Sequence, residues 1–507
     1  MKKSLSFFLT LNVWIILAVA VVLRLPNLGG SFWLDEAAQA LESTRPFNQQ
    51  LQIAEDFQPP LLHLLVHFAA QVSQTEVWLR IWGALLPGLV TIYATYKIAE
   101  VVFSKKVAVV AALLLATSSF HIFYSQELRP YSLSAALAAL SWLLLVRVCY
   151  SKKEFSGKYI LGYTLATALG LYSTYLYPFV VLSQASYIFW KERQYLKPYV
   201  LSTVIAGLLF IPWVPYLLEQ LHVGQNLRQS LPGWEAVVSI PQLKSLPLTF
   251  GKFLFGVLNI EITSFFIITT GIFLISICFA VWRIRQLHLS FYRSRELALL
   301  TCWLLLPLIV SWLTSFILPI VQPKRLLYLL PAFYMSAVAV VLQSTLLQYK
   351  QKTIRLLLQQ TIAPLAIAIL FLLNITSLIA YSTNPLYQRE NWRLLHQQIL
   401  ERYPRESVVV FAFNAAFAPW QWYDDGSYPV VATGSLTTAS QGEVTEQLKK
   451  TSDYSYILVF DYLRDLTDRE RKIETALQDL GFSEREVFGL PGIGFVRVFA
   501  RQDGVLS

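Results

Sequence analysis

Two adjacent carboxylates, Asp35 and Glu36, stand in the polar segment Ser31-Phe32-Trp33-Leu34-Asp35-Glu36, just past an apolar run that ends at Leu23. Paired acids beside apolar surroundings raise one another's pKa by desolvation and repulsion, which leaves one poised to take a proton. Permanent positive charge is offered by Lys324 and Arg325, with Arg80 and Arg129 as further candidates. Such cations suit a phosphate or a phosphate-linked leaving group. Carboxylate and cation together, next to lipid, fit group transfer from a lipid phosphate. Glu127 and Arg129 could equally pair with one another, and Lys324 and Arg325 could anchor to headgroups. Tyr172, Tyr175 and Tyr177 could form a sugar platform or an interfacial aromatic belt. His63 and His67 have the i, i+4 spacing of a shared metal, a weak signal by itself.

The elements that must hold these groups are membrane helices. Apolar residues make up 55% of the 507, against 14% charged, too little polar surface for a soluble chain of this size. The formal charge of +10 is spread in short clusters between apolar runs, which reads as topology rather than a nucleic-acid patch. The three cysteines form no closely spaced pair, so no disulfide framework or CxxC motif is present. Runs near 7–24, 80–97, 107–120, 132–149, 159–174, 176–190, 198–217, 262–282, 297–318, 325–345 and 358–380 predict about eleven spans. The start lacks a small-residue cleavage site near Leu23 and is read as the first span rather than a leader. Segment 58–70, with His63 and His67, is short enough to be interfacial or re-entrant.

Charge sets an orientation. With the N-terminus in the cytoplasm, the inner connections carry clusters such as Lys105 and Lys106, Lys152, Lys153 and Lys158, and Arg283, Arg285, Arg293 and Arg295. The outer ones, including long loops at 25–79 and 218–261, carry fewer basic residues over greater length. An odd number of spans puts the tail outside. Residues 1–384 are thus expected to form the membrane module, and 385–507 a small extracytoplasmic α/β or α+β domain. In that tail, SVVVFAF (407–413) and YSYILVF (454–460) read as strands, 465–480 as a polar helix, and 481–500 as a turn with a hairpin. No P-loop or dinucleotide fingerprint occurs.

Several stretches resemble the membrane glycosyltransferases of the protein mannosyltransferase and aminoarabinose transferase superfamily, the bacterial family 39 type with the GT-C fold. They are RLPNLGGSFWLDEA (24–37), FQPPLLHLL (57–65), VWLRIWGALLPG (77–88), HIFYSQELRPYSL (121–133), KRLLYLLPAFY (324–334) and YQRENWRLLHQQI (387–399). The first and fourth are the most specific. The resemblance implies an inverting transfer of sugar from a polyprenyl-phosphate donor to a hydroxyl acceptor, with Asp35 as base and Glu36 orienting the acceptor or tuning that base. Arg80, Glu127, Arg129, Tyr175, Lys324 and Arg325 would bind donor or acceptor. It implies no fixed cofactor and leaves a divalent metal open; His63 and His67 are weak candidates by their spacing alone. The partners implied are the lipid-linked sugar, membrane lipid and a hydroxyl acceptor, at the plasma (inner) membrane. A transporter or flippase of a lipid-linked or amphipathic solute is the alternative; it expects a site near the bilayer midplane, whereas these clusters collect at one face.

Reporter fusions after residues 100, 155, 194, 290 and 352 are expected to read cytoplasmic, and fusions after 45, 240 and 430 to read the opposite side. A cytoplasmic reading at 430 overturns the odd number of spans.

Overall fold

The computed structural model describes residues 12–54, 56–150, 157–230, 240–258, 294–318, 321–343, 363–412, 417–434 and 439–501. The expected span at 262–282 lies outside them, as does the start of the one at 7–24. The first helix, α1 (Val13–Arg24), leads to α2 (Leu34–Thr44) and α3 (Leu61–Ala70) in the first long loop. Next comes α4 (Glu76–Val102), which contains a π-helical turn at Ile81–Leu85. Then follow α5 (Lys105–Thr117), the short α6 (Ser119–Tyr124), α7 (Tyr131–Tyr150), α8 (Gly157–Leu171) and α9 (Tyr177–Lys191). A further rod, α10 (Leu196–Phe210), continues through a 3-10 turn into α11 (Val214–Ser230). The membrane part is completed by α12 (Gln242–Phe255), α13 (Arg295–Thr314), a 3-10 turn (Pro323–Leu329) running into α14 (Leu330–Gln343), and α15 (Ala363–Thr383).

Six described helical stretches are long and apolar enough to cross a bilayer, and the chain is an integral membrane protein. Their outward residues are apolar, such as Leu208, Ile309 and Leu372, as lipid contact requires. Inside the bundle, α4 packs on α5 and α7 through small residues, with Ala94, Ala99, Ala108, Ala112, Ala135 and Ala139 all buried. Lipid tails are as apolar as leucine, so close backbone approach at small residues supplies the packing that burial supplies in water. Gly83 and Gly88 of α4 extend this: a Cβ would lie 2.6 Å from Leu128 at the first and 2.4 Å from Ser125 at the second. The loop after α6 therefore rests directly on α4. Pro178 sits in the first turn of α9, after the Leu171–Tyr177 connection, where a missing N–H costs nothing.

The tail holds α16 (Trp392–Arg402), β1 (Ser407–Phe411), α17 (Phe417–Tyr423), β2 (Val430–Ala432), α18 (Gln441–Lys449) and β3 (Tyr456–Phe460). It ends with α19 (Arg464–Thr467), α20 (Lys472–Asp479), β4 (Phe482–Leu490) and β5 (Gly494–Arg501). The sheet runs β2-β1-β3-β5-β4, with β2, β1 and β3 parallel and the β4–β5 hairpin antiparallel. The central strands are apolar on both faces because helices cover both; Val409, Phe411 and Leu458 face one core, and Val408, Val410 and Ile457 the other. The expected polar helix at 465–480 is two helices. Arg471 takes a positive φ of 60°, and Asp468 caps the second helix by accepting the Lys472 N–H at 2.6 Å.

This sheet module docks on the first long loop. The Phe32 N–H donates to the Tyr423 hydroxyl (2.6 Å), which donates to Glu76 (3.0 Å), and Arg393 pairs with the same carboxylate. The module has two cores of its own on either side of the sheet, so residues 386–507 expressed alone should melt cooperatively in calorimetry. A broad trace without a transition would make the module dependent on its dock.

Candidate active site

Asp35 and Glu36 occupy the first turn of α2, where the helix dipole favours negative charge. Successive helical positions point about 100° apart, and the two acids part company accordingly. The Asp35 carboxylate is 32% exposed, whereas Glu36 is wholly buried.

Glu36 is gripped by Arg80 of α4 through two bonds, Nε to Oε1 at 2.8 Å and Nη2 to Oε2 at 2.6 Å. Oε1 also accepts the Leu128 N–H at 2.7 Å, and Arg389 Nε lies 3.5 Å from Oε2. Burial alone would raise this carboxyl, but Arg80 and Arg389 outweigh it and hold Glu36 below the usual carboxylate range. Arg80 spends its other donors on the carbonyls of Leu28 (2.9 Å), Gly30 (2.5 Å) and Ser31 (3.2 Å), and lies over the Phe32 ring. Its guanidinium thus clamps the chain that leads into Asp35.

The partly exposed Asp35 faces cations. Arg129 Nε is 3.9 Å from its Oδ2, and the charges of Lys324 and Arg325 also feel this carboxylate. Lys324 Nζ lies 5.7 Å from the Trp33 ring and 5.5 Å from that of Tyr131. The side chains of Glu127 and Arg129 do not pair with one another. Their side chains diverge: Glu127 turns to Arg389 (3.4 Å), while Arg129 turns to Asp56 (2.9 Å) and Asp35. Burial, its largest influence, raises the Glu127 carboxyl despite the pull of Arg389 and Lys324.

Tyr175 stands behind the site. Its hydroxyl donates to Gln220 Oε1 (2.5 Å), and Gln220 in turn donates to the carbonyls of Ile53 (2.7 Å) and Gln58 (3.2 Å). These bonds hold the turn that presents Asp56, next to Phe57 with its positive φ of 51°. Tyr172 and Tyr177 face elsewhere, bonding the Leu209 carbonyl (2.9 Å) and Ser141 (3.1 Å), so the three tyrosines form no common platform.

The two histidines separate as well. His63 Nε2 donates to Asp56 Oδ2 at 2.7 Å, its Nδ1 accepts from Gln39 at 2.8 Å, and Glu42 Oε2 is 3.7 Å from Nδ1. His67 instead donates from Nδ1 to the Ser43 carbonyl (2.9 Å). A compact Glu42, Asp56 and His63 group results, where the sequence shows no compact ligand set. Burial and the charge of Asp56 push the Glu42 carboxyl up to about 7. Burial acts the same way on Asp56, but Arg129 and His63 outweigh it and hold that carboxyl below its ordinary value.

Asp56 and Arg389 are residues that sequence reasoning passes over, and Glu42 stands out in the sequence only as part of an acidic stretch. Asp56 directly precedes the FQPPLLHLL stretch, and Arg389 lies within YQRENWRLLHQQI, so both stand in or beside segments that the resemblance marks. A cavity of about 340 Å³ opens between Ser31, Tyr381, Arg389 and Asn391; Asp35 is not in its wall.

A family model described as dolichyl-phosphate-mannose-protein mannosyltransferase matches residues 57–216, a stretch that begins after Asp35. No curated protein matches the chain significantly. ArnT from Cupriavidus metallidurans, solved bound to undecaprenyl phosphate, is 13% identical with a TM-score of 0.56, over 98% of this chain and 99% of that one. The oligosaccharyltransferase of Archaeoglobus fulgidus, solved with zinc and sulfate, is 13% identical with a TM-score of 0.54, over 96% and 72%. The archaeal oligosaccharyltransferase AglB from the same organism, in complex with an inhibitory peptide and a dolichol-phosphate, is 12% identical with a TM-score of 0.53, over 98% and 75%. The chain has the GT-C fold of these membrane glycosyltransferases, as the sequence resemblance implies.

Glu36→Gln or Arg80→Met is expected to cost about 3–5 kcal/mol, because each leaves a buried charge without its partner. The double variant should cost less than the sum of the two. Thermal unfolding in detergent checks this, and two single variants as stable as the parent would remove the pair from its supporting role.

Proposed function

We propose that this protein transfers a sugar, with inversion, from a polyprenyl-phosphate donor to a hydroxyl acceptor at the outer membrane face, with Asp35 as general base. The observation that carries the reading is a partly exposed carboxylate 3.9 Å from Arg129 and within electrostatic reach of Lys324 and Arg325, with its neighbour Glu36 buried and paired with Arg80. The same fold binds undecaprenyl phosphate in the Cupriavidus ArnT structure, which supports a lipid-phosphate donor here.

A hydroxyl is a poor nucleophile, and removing its proton as it attacks lowers the barrier. The acceptor oxygen bonds to the anomeric carbon while its proton passes to an Asp35 oxygen. The opposite bond, from anomeric carbon to phosphate oxygen, breaks, and its electron pair leaves with the phosphate. Lys324 and Arg325 meet that charge, and Arg129 adds to the field; preformed cations in a site shielded by lipid and protein need little reorganisation. Because attack and departure lie on opposite faces, one base suffices and no covalent intermediate forms. Glu36 acts through Arg80 as a positioning residue, Glu127 through Arg389, and Tyr175 through Gln220 and the turn at 53–58. The N-terminus lies in the cytoplasm of a plasma (inner) membrane, and the sheet module outside it.

Asp35→Asn keeps the size of the side chain and removes the base, so turnover with a polyprenyl-phosphate sugar and a competent acceptor should fall ~10²–10⁴-fold. Melting temperature and donor affinity should change far less. Turnover near that of the parent would return Asp35 to a solvated loop residue.

A further inference from the structure

We infer that Glu42, Asp56 and His63 form a binding site for a first-row divalent cation, distinct from the Asp35 carboxylate and one guanidinium away from it. The three side chains come from three segments: the C-terminal part of α2, the turn before α3, and α3 itself. Each offers one ligand atom, and these atoms lie within 4.8 Å of one another. His63 is fully buried, and the side chains of Glu42 and Asp56 are 17% and 11% exposed, so the group is enclosed yet reachable.

Hydrogen bonding explains part of this cluster and leaves part unexplained. The bonds from Gln39 to His63 and from His63 to Asp56 satisfy the imidazole as a neutral ring. They leave Glu42 Oε2 enclosed and without a hydrogen-bond partner, 3.7 Å from His63 Nδ1. That separation is too long for a hydrogen bond. It is close to the edge of about 3.4 Å that two ligands share when each lies about 2.1 Å from a tetrahedral metal. Two carboxylates this near in an enclosed place repel one another, and a divalent cation between them cancels the repulsion. One imidazole nitrogen with two carboxylate oxygens suits Zn²⁺ or Mn²⁺.

The surroundings supply the outer support that metal sites use. Arg129 Nη1 binds Asp56 Oδ1 at 2.9 Å, while Oδ2 accepts from His63 Nε2 and from Gln58, bonds that a cation on Oδ2 would replace in part. Gln39 and Gln58 bond one another at 3.0 Å beside it. His67, the other histidine of the i, i+4 pair, is spent on the Ser43 carbonyl and lies outside the group. A cation here would draw on the Asp56 charge that Arg129 otherwise shares with Asp35, and so would set how strongly Arg129 acts on Asp35.

The test needs no transfer reaction. Full-length protein is stripped with a chelator in detergent and titrated calorimetrically with Zn²⁺ alone and with Mn²⁺ alone. The expected result is one cation per chain, with affinity weakened at least ~10-fold in Glu42→Gln and His63→Gln and unchanged in His67→Gln. Absence of saturable binding to the parent protein overturns the proposal, as does affinity that both ligand variants retain. Should those variants fail to fold, pulsed electron paramagnetic resonance of Mn²⁺ on the parent protein decides. Coupling to an imidazole nitrogen sustains the site, and its absence overturns it.

Discussion

The candidate site is organised by one buried ion pair, Glu36 with Arg80. Neither side chain has any exposure, so both charges give up hydration that costs several kcal/mol per ion. What offsets the cost is saturation: Glu36 accepts from Arg80 twice and from the Leu128 N–H, and Arg80 donates to three carbonyls of the 28–31 segment. The pair therefore joins α2, the chain before it, α4 and the loop after α6. Arg389 adds the segment that leads into the sheet module. Elements more than forty residues apart are held in register by a single carboxylate.

With Glu36 spent in this way, the chemistry of the adjacent acids divides. One carboxylate is structural because it is neutralised inside the protein; the other is available because the helix turns it toward solvent and cations. Arg129 links this surface to a second acidic group. It lies between Asp35 and Asp56, so its field is divided according to how far the Asp56 charge is taken up by His63 or by a cation. The arrangement couples two sites through one guanidinium without requiring any movement of backbone.

The membrane part and the sheet module obey different solvents. In the bundle, alanines and glycines bring helices into contact, and rigid aromatics such as Trp142 stacked on Trp303 at 5.0 Å fill the remaining space. The tail is organised around a sheet, with apolar central strands covered by helices on both faces. The two meet through Tyr423, Glu76, Arg393 and Ser31, a polar junction laid over the chain that carries Asp35.

Much of this was legible without coordinates. Apolar runs of membrane length, the shift in composition near 385 and the strand-like runs at 407–413 and 454–460 are local patterns, and local patterns survive in sequence. The short strand β2 escaped because three residues are too few to show a period, whereas α16 buries Trp392, Leu395 and Ile399 at helical spacing and carries a local signal of its own. Spacing alone joined His63 to His67 and Glu127 to Arg129, since residues close in sequence are the only neighbours a sequence displays. The tertiary structure decided otherwise, giving His63 to Asp56 and Glu42, Arg129 to Asp56, and Glu127 to Arg389, 262 residues away. Sequence by itself singled out Asp35 and the cations Arg129, Lys324 and Arg325, and the fold brings Arg129 within 3.9 Å of Asp35. Which charge neutralises which was set by the packing of α2, α3 and α4, because Coulomb interactions follow distance in space and not along the chain.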